Sequence, residues 1–184
     1  QEYTFCLTRL DPESGQEKGP RRFFGIYALE ADLLRLRPFR GDVHMHSSRS
    51  DGAQAPVYVA AAARRAGMDF MALTDHRRYQ PSLELIAALE GPATDLRCFP
   101  GEEVHEPEGI MHVVNFGGRE SVTALLGSEA ARQEIAGLAR QWPELDAASR
   151  SAVAHTVWAC RAIRAAGGVA IYAINEFITM SLLP

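Results

Sequence analysis

The sequence predicts an α/β fold, with a parallel sheet and helices outside it, on three observations. From Gly41 onward helical and strand-like segments alternate. The apolar runs that read as strands are short and bounded by Gly or Pro. Histidines and carboxylates gather at the ends of those runs, and the C-terminal strand edge is where active sites of parallel α/β folds collect. With 47% hydrophobic and 23% charged residues, a chain of 184 residues buries the core of one sizeable domain, with or without an appendage.

Two β-like segments, Tyr3–Leu10 and Phe23–Leu29, open the chain, separated by the loop-like DPESGQEKGP. The pattern changes near Pro38–Gly41. Residues 1–40 are therefore read as a β-rich N-terminal segment or the tail of a preceding domain, and residues 41–184 as the main domain. Because the chain starts at Gln1 and enters a strand at once, it reads as a piece of something longer. Val57–Ala66 is an alanine-rich helix that places Arg64 and Arg65 before Gly67, cations and a glycine at the C-terminal end. The strand Asp69–Thr74 follows. Pro81-Ser82 opens a helix over Leu83–Glu90 that Gly91-Pro92 ends, and the short apolar run Leu96–Phe99 stops at Pro100-Gly101. Ile110–Phe116 is another strand. Ser121–Arg140 and Ala147–Ala166 carry helical periodicity, and Gly167-Gly168 releases the chain into the β run VAIYAI.

The formal net charge of −4 comes without any long run of Lys or Arg, which argues against nucleic acid held on a general basic surface but leaves a nucleotide open as a substrate. Cys6, Cys98 and Cys160 are far apart and form no CxxC, so neither a disulfide framework nor a zinc-thiolate site is expected, and a reducing cytoplasm is the default. No stretch approaches the roughly 18 apolar residues of a membrane span, and no leader is visible.

The chemistry concentrates in GDVHMHSSRSDG, residues 41–52. In a strand, residues i and i+2 share a face, so His44 and His46 aim both imidazoles at one point. A lone HxH suits a pair of surface histidines equally well; its company decides. Thr74-Asp75-His76 follows an apolar strand, Pro100-Gly101-Glu102-Glu103 follows another, and His112 lies within IMHVVNF. Five of the six histidines fall between His44 and His112. Mixed imidazole and carboxylate ligands without thiolate fit Zn, Mn or Fe, a carboxylate such as Glu103 is able to bridge two metals, and such a cluster suits metal-assisted hydrolysis.

Taken in order, Gly41–Gly52, Leu73–His76, Pro100–Val104 and the later His112 resemble the polymerase and histidinol phosphatase (PHP) family, whose motifs read DxHxHTxxSDG, TDH, and GxE with a following His. Three ordered motifs over about 70 residues are specific. The resemblance implies a distorted seven-stranded β/α barrel, two or three divalent metals at its mouth, and phosphoester hydrolysis. By it, His44, His46, Asp51, His76, Glu103 and His112 are the expected metal ligands, with Glu103 bridging; Asp75, His76 and Glu103 are the expected catalytic residues. Ser47 stands where the family usually has Thr, and Glu102 replaces an apolar residue.

Two departures qualify the expectation. The family's fourth motif, GGxAxxAHP, appears here as GGVAIYAIN, so Ile174 stands at a ligand histidine and Asn175 at the proline. The family's late Asp-x-His pair has no counterpart before Pro184, so the barrel is expected to be incomplete at the C-terminus and the cluster to hold fewer metals. His105, two residues after Glu103, is a lesser candidate to replace a lost ligand. Arg77 and Arg78 follow TDH where the family has acidic or amide residues, and either clamp a substrate phosphate or are solvated. His155 reads as an ordinary helical histidine. The leading expectation is a metal-dependent phosphoesterase acting on a small phosphorylated substrate; the alternative is a catalytically impaired metal-binding module with a structural or regulatory role. Unpaired strand edges of an incomplete barrel would favour a homo-oligomer.

Overall fold

A computed structural model describes residues 2–27, 36, 38–91, 94–105 and 112–173. Ile174, Asn175 and the terminal segment lie outside the described residues, as do residues 28–29 and 110–111 at the margins of two expected strands. The chain divides into two units, Gln1–Pro38 and Phe39–Pro184.

In the first unit, β1 (Glu2–Leu10) and β2 (Glu17–Tyr27) form an antiparallel hairpin with Phe5 opposite Phe24 and Cys6 opposite Phe23. Its turn is built by Asp11, whose carboxylate accepts from the backbone N–H groups of Glu13 and Ser14 at 3.0 Å each, and by Gly15 at φ +68°. The second strand begins at Glu17, so the connecting loop is shorter than the sequence suggests.

The second unit starts with a parallel sheet in the order β3 (Gly41–Met45), β4 (Phe70–Leu73), β5 (Arg97–Phe99). Helices α1 (Pro56–Arg65) and α2 (Gln80–Leu89) are the crossovers. Ala60, Ala63, Met71, Leu73, Leu85 and Leu96 are buried together beneath them. Each large aliphatic side chain in this cluster stabilises the fold by roughly 1.5–3 kcal/mol.

Beyond β5 the structure departs from the expected parallel sheet. Strands β6 (Gly101–His105), β7 (His112–Phe116) and β8 (Val169–Ala173) form a three-stranded antiparallel sheet. Only residues 106–111 separate β6 from β7, too few for the dozen or so residues that a parallel crossover needs. Pro100 separates β5 from β6, and β6 is a strand of its own rather than the end of the preceding run. A Cβ at Gly101 would sit 2.9 Å from Thr74 Cγ2 and 3.0 Å from Asn115 O, so a bare backbone lets the chain pass between the two sheets there.

The helical stretch expected over Ser121–Arg140 is two helices, α3 (Val122–Leu126) and α4 (Glu129–Ala139). Gly127 weakens the helix and Ser128 restarts it, its side chain accepting from Ala131 N at 3.1 Å. Helix α5 (Ala147–Ala165) starts at Asp146, whose carboxylate accepts from Ser149 N at 3.0 Å. Trp158, Ile163 and Ala154 of α5 pack with Val104, Val113 and Ile135 in a second core cluster. Among the described residues the sheets do not close into a barrel, and no helix is long and apolar enough to cross a membrane.

Candidate metal centre

The three motifs meet because Asp75 ties the first to the second and a backbone bridge ties the second to the third. Asp75 is fully buried. Its carboxylate accepts from Ser47 N and Ser47 Oγ at 2.8 Å each and from Ser50 Oγ at 2.7 Å. The loop from Ser47 is closed by Gly52 N donating to Ser47 O at 2.9 Å. Any Cβ at Gly52 would collide with the His46 carbonyl, which explains the glycine of the Ser-Asp-Gly triplet. His76 forms an isolated parallel bridge with Glu103, with Glu103 N donating to Asp75 O at 3.2 Å and Arg77 N to Glu103 O at 2.8 Å. Arg77 adopts the left-handed region at φ 54°, an uncommon conformation for a residue with a side chain.

Glu103, 1% exposed, is the centre of the arrangement. Its Oε2 lies 2.7 Å from His76 Nδ1, 3.0 Å from His46 Nε2, 3.3 Å from His44 Nε2 and 3.8 Å from His105 Nε2, and its Oε1 lies 2.9 Å from His112 Nδ1. Asp51 sits on the other side, 2.7 Å from His46 Nδ1 and 3.2 Å from His76 Nε2. The donor atoms fall into three groups: His44, His46 and Glu103; His46, Asp51 and His76; and His76, Glu103, His105 and His112.

These contacts do not form a satisfied hydrogen-bond network. Glu103 Oε2 and His46 Nε2 are buried without a hydrogen-bond partner, although they are neighbours. One oxygen facing four ring nitrogens has more neighbours than its lone pairs can serve. His76 Nδ1 and His105 Nε2 approach to 2.6 Å, a hydrogen bond in which either ring nitrogen is able to donate. Nitrogen and carboxylate donors that converge this closely and leave buried donor atoms unserved, with no thiolate among them, fit a divalent transition metal. Without the ion, burial opposes ionisation of Glu103, but the side chains of His105, His44 and His46 outweigh it and hold the carboxyl well below its usual range. The Glu103 side chain likewise raises His46, with Asp51 adding to the effect against desolvation. Burial lowers His76.

All six sequence-predicted ligands, His44, His46, Asp51, His76, Glu103 and His112, are thus brought together, and His105 joins them with its ring stacked on His112 at 3.7 Å. Its alternation with Glu103 along an extended segment was the signal in the sequence. Of the expected catalytic residues, His76 and Glu103 are in the cluster, while Asp75 spends its carboxylate on Ser47 and Ser50. Glu102 points elsewhere too, accepting from Val122 N at 2.5 Å and Ser121 Oγ at 2.9 Å at the start of α3. Arg77 and Arg78 line a cavity of about 500 Å³ together with Arg49 and Ser121. His155 bonds its own helix, Nδ1 lying 2.8 Å from Ser151 O.

No family model matches the chain. Over 78 residues, 41% of the chain, it is 40% identical to the DNA polymerase/3'-5' exonuclease PolX of Bacillus subtilis (strain 168), and the match spans 13% of that protein's length. This relationship bears out the resemblance to the PHP family carried by the three motifs. Two solved structures are similar at 22% identity. One, described as a metal-dependent phosphoesterase from Bifidobacterium adolescentis, matches over 71% of this chain and 51% of its own, with a TM-score of 0.39. The other, an amidohydrolase from Chromobacterium violaceum with bound sulfate and no metal, matches over 78% of this chain and 72% of its own, with a TM-score of 0.42.

Proposed function

We propose that this chain is a metal-dependent phosphoesterase domain that hydrolyses a phosphomonoester or phosphodiester with water. The observation that carries the reading is the convergence of His44, His46, His76 and His112 on buried Glu103, where an oxygen and a ring nitrogen have no hydrogen-bond partner. The relative's 3'-5' exonuclease activity, cleavage of phosphodiester bonds, supports the choice of a phosphoester.

His44, His46, Asp51, His76, Glu103 and His112 would hold Mn, Zn or Fe, with His105 as a further donor. If two or three ions bind, as the family resemblance implies, the Glu103 carboxylate would serve more than one of them, while His46 and His76, each in two donor groups, would as neutral imidazoles ligate one ion each. A divalent metal there supplies Lewis acidity toward phosphoryl oxygens and lowers the pKa of water. Glu103 and Asp51 offset the positive charge of the site, and the Arg77 and Arg78 guanidiniums bind the substrate's phosphoryl oxygens in bidentate fashion. Asp75 is a positioning residue: by holding Ser47 and Ser50 it fixes the loop that presents His46 and Asp51 relative to His76. The substrate is a small phosphorylated molecule, a nucleotide included.

The test combines metal content, read by elemental analysis after loading with Mn or Zn, with turnover of p-nitrophenyl phosphate and bis(p-nitrophenyl) phosphate. Hydrolysis that is lost on chelation and restored by Mn is the expected result. Full metal occupancy without turnover of a broad phosphoester panel overturns it in favour of a structural or regulatory metal-binding module, the reading that Ile174 in place of a ligand histidine favours.

A further inference from the structure

A cavity of about 770 Å³ reaches from Arg77 and His105 to the facing surfaces of α3, α4 and α5. Its size suits a ligand larger than phosphate, since small-molecule sites run from about 300 to 1,000 Å³. His105 belongs to both places: its ring lines the cavity, and its Nε2 lies 2.6 Å from His76 Nδ1 in the donor cluster. The cavity therefore begins at the reacting centre.

Its wall is aliphatic along Leu126, Ile135, Ala136 and Ala139, and α5 contributes Arg150, Ser151 and His155. Among the described residues no Asp or Glu lines it, whereas three arginines do. Arg132 is committed, donating to Glu129 at 3.0 and 2.8 Å and to Gly127 O at 2.8 Å. Arg150 is different. Among the described residues it has no carboxylate partner; its Nη2 donates to Leu145 O at 3.0 Å, and its Nε is buried without a hydrogen-bond partner. Thr123 Oγ1, on α3, is a second buried polar atom with no partner in the same lining. Unpaired buried polar groups are uncommon in folded proteins and call for an explanation. A guanidinium that has no carboxylate partner and lines a cavity without carboxylates, both among the described residues, favours an anion.

We propose that this cavity is the subsite for the alcohol portion of the substrate, and that the substrate is a phosphoester whose alcohol carries an aliphatic body and a second anionic group held by Arg150. The inference rests on the phosphoesterase reading above. In it, the phosphoryl group lies at the donor cluster near Arg77 and His105, and the aliphatic body lies along Leu126 and Ile135. Binding involves no covalent step.

Alkylphosphonates test this directly, because they keep the phosphoryl anion and resist hydrolysis. The Mn-loaded chain is titrated calorimetrically with inorganic phosphate, with alkylphosphonates of three to six carbons, and with their ω-carboxylated counterparts. At one or more lengths the ω-carboxylate is expected to bind about tenfold tighter than the plain alkyl ligand, the scale of one charge-assisted hydrogen bond. Arg150→Gln should abolish that preference. Ala136→Trp, at an exposed helical position facing the cavity, should weaken the preferred ligand about tenfold and covers the case in which the Arg150 variant does not fold. Phosphate binding with no preference for the carboxylate at any length, or a preference that survives both substitutions, overturns the subsite alone. Failure of the loaded chain to bind phosphate or any phosphonate overturns the phosphoesterase reading and the subsite with it.

Discussion

The two faces of β6 carry adjacent buried carboxylates with opposite assignments. Glu102, fully buried, is surrounded by hydrogen-bond donors: Val122 N, Ser121 Oγ and, at longer range, Thr123 N and Asn115 Nδ2. Glu103, almost as buried, faces five imidazoles, and its Oε2 accepts no hydrogen bond. Since neighbouring residues of a strand point to opposite faces, one residue serves the start of α3 and the other faces the histidine cluster. Burial of a carboxylate is thus not by itself a sign of chemistry. The discriminating feature is whether its lone pairs are already used.

The sharpest way to break this contrast is to change each carboxylate separately. Glu103→Ala should reduce metal affinity by at least about 100-fold, beyond the 10- to 100-fold typical of residues that only support ligands. Equilibrium dialysis against Mn or Zn reads it, and unaltered affinity would remove Glu103 from the centre. Glu102→Ala should leave metal stoichiometry unchanged and lower the unfolding free energy by about 1–3 kcal/mol, because buried donors at the start of α3 lose their acceptor. Urea denaturation measures that loss. If Glu102→Ala removes metal without destabilising the chain, the roles are reversed.

Asp75→Asn sharpens the same distinction at the other end of the bridge. It retains one acceptor oxygen but replaces the other with a donor facing Ser47 or Ser50, so metal affinity should fall about tenfold through a displaced loop, with all ligands present. Retention of wild-type affinity would limit Asp75 to folding.

The smallest expected effect is in pH. His46 is raised, chiefly by the Glu103 side chain. In the metal-free protein its protonated form therefore adds stability, fully present below the unfolded-state pKa and lost as pH rises through the higher folded value. A metal needs the neutral ring. Stabilisation by added metal should accordingly be greater above that range than below it, and binding should release protons, measurable by calorimetry in buffers of different ionisation enthalpy. Metal-induced stabilisation that does not vary between pH 6 and pH 8 would contradict this.

Much of the candidate centre was legible in the sequence because its donor residues lie in short local patterns. His44 and His46 share a strand face by the twofold repeat, His76 follows an apolar strand, and Asp51 precedes a glycine that Gly52's close approach to the His46 carbonyl requires. Other features turn on pairings between distant segments. The sequence shows Asp75 next to His76, but only its contact with Ser47 and Ser50 distinguishes a brace from a ligand. Glu102 and Glu103 are the same chemical group one position apart, and what separates them is which helix end or ring cluster packs on each face of β6.

Residue identity and strand or helix period by themselves determined the α/β class and the order of the His- and carboxylate-bearing motifs, and the family resemblance singled out the six candidate donors. Tertiary structure alone decided that β6–β8 run antiparallel, that His105 joins the cluster and that Arg150 reaches the cavity beside it. The physical reason is range: side-chain direction along one element follows from local backbone geometry, whereas the partner that satisfies or leaves open a buried polar atom is supplied by another element remote in sequence.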